Sequence, residues 1–259
     1  MAFALITGAS KGIGRAVAYE LAKRNFNLVL IARSEPELKT LCSEIKNDYK
    51  VEATYFPLDL TLPDAAEQIL KWIEEKNIPL NVLINNAGYG LWGGFDELTL
   101  EEQLNMMQIN MICIVKLSYL LLPLLKKQSQ SYILNVASTA SYQAVPRLNV
   151  YSASKAFVVQ FSRALKYELK ESNVSVTCIS PGSTATNFMD RAGMKTEEMK
   201  KRADKFNMKV EDVATFAVEG MLNKKTEIIP GFINKVSVAF TYFVPKWITE
   251  KIAAGLYKK

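Results

Sequence analysis

Short apolar runs alternate with helix-length amphipathic segments along the whole chain. Runs at residues 3–7, 28–32, 51–56, 82–85, 132–137, 174–179 and 227–229 read as seven buried strands. Between them, residues 12–24, 36–48, 63–76, 100–127, 150–171 and 210–222 repeat their apolar positions at helical spacing. Regular strand–helix alternation predicts a single α/β domain: a doubly wound parallel sheet of about seven strands, helices on both faces and right-handed crossovers. In such a sheet, ligands sit at the carboxyl ends of the strands.

Composition narrows this picture. With 259 residues, 49% of them hydrophobic, and no low-complexity linker, the chain is expected to bury one core over residues 1–259. The formal charge of +6 is spread over many lysines. That suits an acidic ligand or an anionic membrane surface and gives no support for nucleic-acid binding. There is no histidine, and Cys42, Cys113 and Cys178 show no CxxC pairing. No metal site is expected, and the thiols read as reduced and structural, which predicts a cytoplasmic protein. The start, Met1 to Thr7, reads as a first strand rather than a signal peptide. Residues 236–247 are apolar and aromatic, broken by Pro245 and followed by lysines. The run is too short to span a membrane, so no transmembrane segment is expected. This tail, residues 236–259, has three possible seats: over the active site, in a subunit interface or on a membrane surface. Lid or subunit packing ranks first, with a homodimer or homotetramer expected.

Two stretches carry chemistry. Thr7-Gly-Ala-Ser-Lys-Gly-Ile-Gly14 lies directly between the first strand and first helix, where glycines permit a tight turn and the helix start offers N–H groups to a phosphate. Glycines at 8, 12 and 14 depart from the GxGxxG spacing, so the turn indicates phosphate without naming the nucleotide. After the second strand, where an acidic residue would accept from a ribose 2′-hydroxyl, the chain has Arg33 and Ser34. Arg33, with Lys11, suits a 2′-phosphate, which predicts NADP(H) in preference to NAD(H). Further on, Tyr151 and Lys155 stand four apart on a helix, hence on one face. A phenol beside an ammonium can exchange a proton with an alcohol or carbonyl near neutral pH.

Taken with Asn85-Asn-Ala-Gly88, Asn110, Ser138 and Ser180-Pro-Gly182, these stretches resemble the short-chain dehydrogenase/reductase family over nearly the whole chain. Within it the chain looks most like bacterial NADP-dependent ketoreductases of the 3-ketoacyl and 17β-hydroxysteroid type. The resemblance implies a Rossmann-type fold and a role for each matching position. Gly8, Ser10, Lys11, Ile13 and Gly14 would hold cofactor phosphates, and Arg33 the 2′-phosphate. Asp59 and Leu60 would contact adenine, Asn86, Ala87 and Gly88 would border the ribose, and Pro181, Gly182, Thr184 and Thr186 would touch the nicotinamide end. A turn cap at Asp59, a plain turn at 86–88 and helix caps at Thr184 and Thr186 are the structural alternatives.

The resemblance makes Tyr151 the acid/base and gives Lys155 a second task, holding the nicotinamide ribose. Ser138, thirteen positions before Tyr151, would hold the substrate oxygen, and Asn110 would anchor a water joined to the lysine. Residues 187–209 would form a substrate lid, with Phe188, Met189, Met194 and Met199 as an apolar cover. Together with Tyr89, Leu91, Trp92 and Phe95 they suggest a small apolar carbonyl or alcohol substrate. Tyr142 is read either as a substrate contact or as packing. The expected function is NADPH-dependent carbonyl reduction. A non-catalytic NADP(H)-binding regulatory or structural subunit is the alternative, disfavoured by the intact set Asn110, Ser138, Tyr151 and Lys155.

Overall fold

A computed structural model describes residues 2–186, 188–194 and 207–256. Seven strands are present among them: β1 (Phe3–Thr7), β2 (Asn27–Ala32), β3 (Ala53–Pro57), β4 (Leu80–Asn85), β5 (Ser131–Val136), β6 (Val174–Ile179) and β7 (Glu227–Ile228). All pair in parallel, in the order β3-β2-β1-β4-β5-β6-β7. The order reverses between β1 and β4, which opens a crevice at their carboxyl ends.

The strands are apolar throughout because both faces of the sheet are covered. On one face, Ala4, Ile6, Leu28, Leu30 and Ile84 pack beneath helices α1 (Gly12–Lys23), α2 (Glu35–Tyr49) and α8 (Val210–Leu222). Residues one position along, Leu5, Val29, Ile31 and Leu83, point the other way. They meet α3 (Ala65–Glu75) and α5 (Cys113–Lys126). A third helix on that face, α6 (Asn149–Glu168), packs on β6 through Val158 and Val159. Three layers and one continuous sheet make a single domain, as the alternation predicts.

Element ends differ from the sequence expectation by up to three residues, and two segments differ in kind. Strand β3 begins at Ala53 rather than residue 51. The helix expected over 100–127 is continuous from α4 (Leu100–Met107) into α5 but loosens into a π-helical turn over Gln108–Ile112, centred on Asn110. Leu100–Lys126 is also long and apolar enough, by length and composition alone, to cross a membrane. Core helices pass the same test, and here Ile109, Cys113, Leu117, Leu121 and Leu125 are buried against the sheet. The apolar tail forms two helices, α9 (Phe232–Phe243) and α10 (Lys246–Leu256), separated at Pro245. Of the expected lid, α7 (Phe188–Arg191) is described, while Asn187, Met199 and the rest of 195–206 lie outside the described residues.

Candidate active site

The turn between β1 and α1 takes its shape from glycine. Gly8 and Gly12 have φ of +65° and +54°, which side chains rarely adopt. A Cβ on Gly14 would stand 2.3 Å from the Gly8 carbonyl oxygen and 2.4 Å from Asn86 Nδ2, so only hydrogen fits there. The amide of Asn86 donates to the carbonyls of Thr7 (2.9 Å) and Gly8 (3.2 Å). In return Thr7 Oγ1 accepts from the N–H of Asn86 and of Ala87, both at 3.0 Å, and donates to Ile84 O at 3.1 Å. These bonds clasp the turns after β1 and β4 into one unit at the switch point. Thr7 belongs to the quoted turn sequence but had no assigned role, because its partners lie almost eighty residues away. No acidic residue sits in the first turn of α1 and no side chain caps it, so its N–H groups and positive dipole end serve the crevice.

At the outer end of β2, Arg33 stands 3.8 Å from the Asp59 carboxylate. Asp59 accepts from the N–H and hydroxyl of Thr61 at 3.0 and 2.9 Å. Burial raises its pKa, but those bonds and the charges of Arg33 and Arg191 outweigh burial and hold the carboxyl below its ordinary value. Asp59 thus caps its turn and lines the crevice as well. Two further residues complete this end. Lys11 is paired at 2.8 Å with Glu37, whose carboxyl is held low chiefly by that lysine. Arg191 of α7 lies over the Tyr89 ring, 4.7 Å from its centroid. The SxxE spacing from Ser34 to Glu37 could have drawn attention to Glu37. Nothing in the sequence marks Arg191, because it arrives only when the segment after β6 folds back across the crevice.

At the inner end, α6 carries Tyr151 and Lys155 one turn apart, and both are buried, at 8% and 4% exposure. Lys155 Nζ donates to Val136 O at 2.9 Å and forms no ion pair among the described residues. Burial holds its pKa down to about 8. The Tyr151 ring packs against Phe188, centroids 5.3 Å apart. Ser138 follows β5 and accepts from Ala140 N–H at 3.2 Å, opening a short 3₁₀ turn over Thr139–Tyr142.

A ladder of buried amides ties this end to the sheet. Asn85 donates to Asn135 Oδ1 at 2.8 Å, and Asn135 donates to Ser162 Oγ on α6, also at 2.8 Å. Asn110 is fully buried. It accepts from Tyr89 N–H (3.1 Å) and donates to Tyr89 O and Ser154 Oγ, each at 3.0 Å. Gly88 passes between Asn110 and Lys155, where a Cβ would come within 2.8 Å of Asn110 Oδ1 and 3.2 Å of Lys155 Nζ. Tyr142 packs outside the cleft: its hydroxyl donates to the Glu227 carboxylate and accepts from the Ser180 hydroxyl at 2.9 Å.

One cleft of about 920 Å³ gathers these parts. Every expected catalytic and cofactor residue lines it except two. Gly14 sits behind the turn it buttresses, and Asn110 sits behind Gly88 and Tyr89. Val145, Leu148, Phe188, Met189 and Met194 form an apolar wall beside Tyr151. Tyr89 joins the lining, but Leu91 and Trp92 pack behind the wall, and Phe95 is 64% exposed away from it. Of the four aromatic and apolar residues after β4 that suggest an apolar substrate, only Tyr89 lines the cleft. The loop after β4 turns Leu91 and Trp92 into the cluster around Met106 and Ala192, and Phe95 lies beyond it. The cleft has a glycine turn with the uncapped start of α1, a cationic end and a buried ammonium that uses one of its three donors on Val136. That donor set fits a nicotinamide dinucleotide.

The family model for short chain dehydrogenases matches residues 2–197. The chain is 31% identical over 263 residues to the very-long-chain 3-oxoacyl-CoA reductase of Rattus norvegicus, covering 99% of this chain and 80% of that protein. Identity is 30% to the 17-beta-hydroxysteroid dehydrogenase type 3 of Mus musculus, over 93% and 78% of the two chains. A solved short-chain dehydrogenase from Sphingobium yanoikuyae in complex with NADPH aligns with a TM-score of 0.81 at 26% identity, covering 95% of this chain and 96% of that one. The chain belongs to the short-chain dehydrogenase/reductase family. It is an oxidoreductase of the ketoreductase type acting between CH–OH and C=O.

Proposed function

We propose that the protein reduces an apolar ketone, aldehyde or 3-oxoacyl compound to the alcohol with NADPH, and runs in reverse as an alcohol dehydrogenase. One observation carries the reading: Tyr151, Lys155 and Ser138 line the same cleft as the glycine turn after β1. Gly8, Ser10, Lys11 and Ile13 hold the phosphates, with Gly14 keeping the turn closed. Asp59 and Leu60 border the adenine, Asn86 to Gly88 the ribose, and Pro181, Gly182, Thr184 and Thr186 the nicotinamide end. The bound dinucleotide supplies the hydride.

The chain's own residues handle the proton. Tyr151 gives its phenolic proton to the carbonyl oxygen while Ser138 Oγ–H holds that oxygen in place. Lys155 sets a positive charge one helical turn from the phenol and offers its remaining donors to the ribose hydroxyls, so cofactor placement and acid strength depend on one group. Asn110 is a positioning residue that fixes Tyr89 and, through Ser154, the first turn of α6. Met189 and Met194, adaptable in shape, support an apolar substrate under a lid over 187–209.

Preference for NADP(H) rests on Arg33 and Lys11, with Arg191 as a third cation. Glu37 opposes a 2′-phosphate, but its pairing with Lys11 offsets much of its charge. The three buried, unpaired cysteines support a reducing, cytoplasmic setting. Leu104, Ile112 and Tyr119, exposed along the α4–α5 helix, support a homodimer or homotetramer. The test is NADPH oxidation against a panel of ketones and 3-oxoacyl thioesters. Tyr151→Phe is expected to lower turnover about 10²–10⁴-fold while NADPH still binds. Turnover retained in that variant overturns the mechanism.

A further inference from the structure

The last two helices present an apolar surface that the core does not use. In α9, Phe232, Ile233, Val236, Phe240 and Phe243 are between 47% and 88% exposed. At about 100° per residue these five fall within roughly one 100° arc, a single stripe. The opposite side of the same helix, Val238 and Thr241, is buried and lines the cleft. Beyond Pro245, α10 adds Trp247, 66% exposed, and Ile252, 50% exposed. Lys235 stands beside the stripe on α9, Lys251 is exposed next to Ile252 on α10, and Lys246, also exposed, donates to Thr241 O at 2.8 Å; Glu250 is the one acidic residue on the two helices. None of these lysines is ion-paired among the described residues.

We propose that the α9–α10 face docks on an anionic lipid surface, with the stripe at the headgroup boundary and the lysines against lipid phosphate. Charge decides between this occupant and a second copy. An isologous dimer through this face would gather Lys235, Lys246 and Lys251 of both copies in one seam with only Glu250 of each to offset them, whereas an anionic bilayer supplies the opposite sign. The second copy has another apolar row available, on α4–α5. Aromatic and aliphatic residues on one arc with lysine at its margin are the composition of an interfacial helix. Because α9 also walls the cleft, the docked face would put the cleft beside the bilayer, where an apolar substrate of the kind proposed above is dissolved.

Cosedimentation of the full-length protein with vesicles of phosphatidylcholine, with and without phosphatidylserine, tests this. Binding is expected to the phosphatidylserine vesicles and to weaken roughly tenfold or more in Lys235→Glu/Lys251→Glu, two charges near the surface being removed and reversed. Phe232→Ser/Phe243→Ser is expected to lose binding while reducing a water-soluble ketone at the wild-type rate, which shows that it folds. Equal binding of wild type and both variants, or no binding by wild type, overturns the proposal. So does a dimer that the Phe232→Ser/Phe243→Ser change converts to monomer. The vesicle assay does not read turnover, so its failure leaves the reductase reading standing, and failed turnover leaves the docking result intact.

Discussion

Lys155 holds an ammonium in the interior against one carbonyl, so folding works against its charge. Its pKa falls from the ordinary 10.5 to about 8, chiefly through burial. Below pH 8 the lysine is protonated in folded and unfolded chains alike, and the folded state bears the full desolvation penalty. Between about 8 and 10.5 the unfolded chain binds a proton that the folded chain has released, so stability rises with pH across this window. The shift corresponds to about 3 kcal/mol at 1.36 kcal/mol per unit. Lys155→Met fills the same channel without a charge. In the cofactor-free protein the variant is expected to match or exceed wild type in stability at pH 7. The wild type should then gain about 3 kcal/mol relative to it by pH 10.5. Urea unfolding of both proteins across this range reads the difference, and comparing them cancels every other titrating group. Parallel curves from pH 7 to 10.5 would refute the reasoning. Carbonyl reduction should fall sharply in the same variant, which separates a charge kept for chemistry from one kept for stability.

Three further outcomes follow from the geometry. Gly14→Ala places a methyl group 2.3 Å from backbone, so the turn must move: a loss of about 1–3 kcal/mol by thermal or urea unfolding and weaker NADPH binding by fluorescence titration are expected. Arg33→Asp should raise KM for NADPH more than for NADH and shift the cofactor preference toward NADH, and an unchanged KM ratio would remove Arg33 from the 2′-phosphate site. Asn110→Leu leaves the Tyr89 N–H and C=O without their partner, at about 1–3 kcal/mol each. Reduced stability, together with a kcat loss larger than any KM change, would mark Asn110 as positioning Tyr151 and Lys155, and a change in KM alone would count against it.

The sheet, the glycine turn and the Tyr151–Lys155 pair were legible because each rests on local spacing. Two-sided burial makes every strand an uninterrupted apolar run, a phosphate turn needs glycine where φ is positive, and one helical turn puts residues four apart on one face. The membership of Arg191 in the cationic end was not legible, and that of Glu37 was marked only by its spacing from Ser34. Each depends on where a distant segment comes to rest.

Sequence alone, then, determined the fold class, the order of elements and the side chains available to the site: the Tyr151 phenol, the Lys155 ammonium, the Ser138 hydroxyl and a glycine turn after β1. Only the tertiary structure decided their division of labour. It moved Asn110 and Gly14 behind the cleft as supports, made Tyr142 a packing residue and turned Phe95 away. It also split the apolar tail into a wall for the cleft and a surface outside it. The reason is physical. Periodicity records that a side chain needs cover, but many neighbours can give cover equally well, and which one does is set by contacts between residues dozens of positions apart.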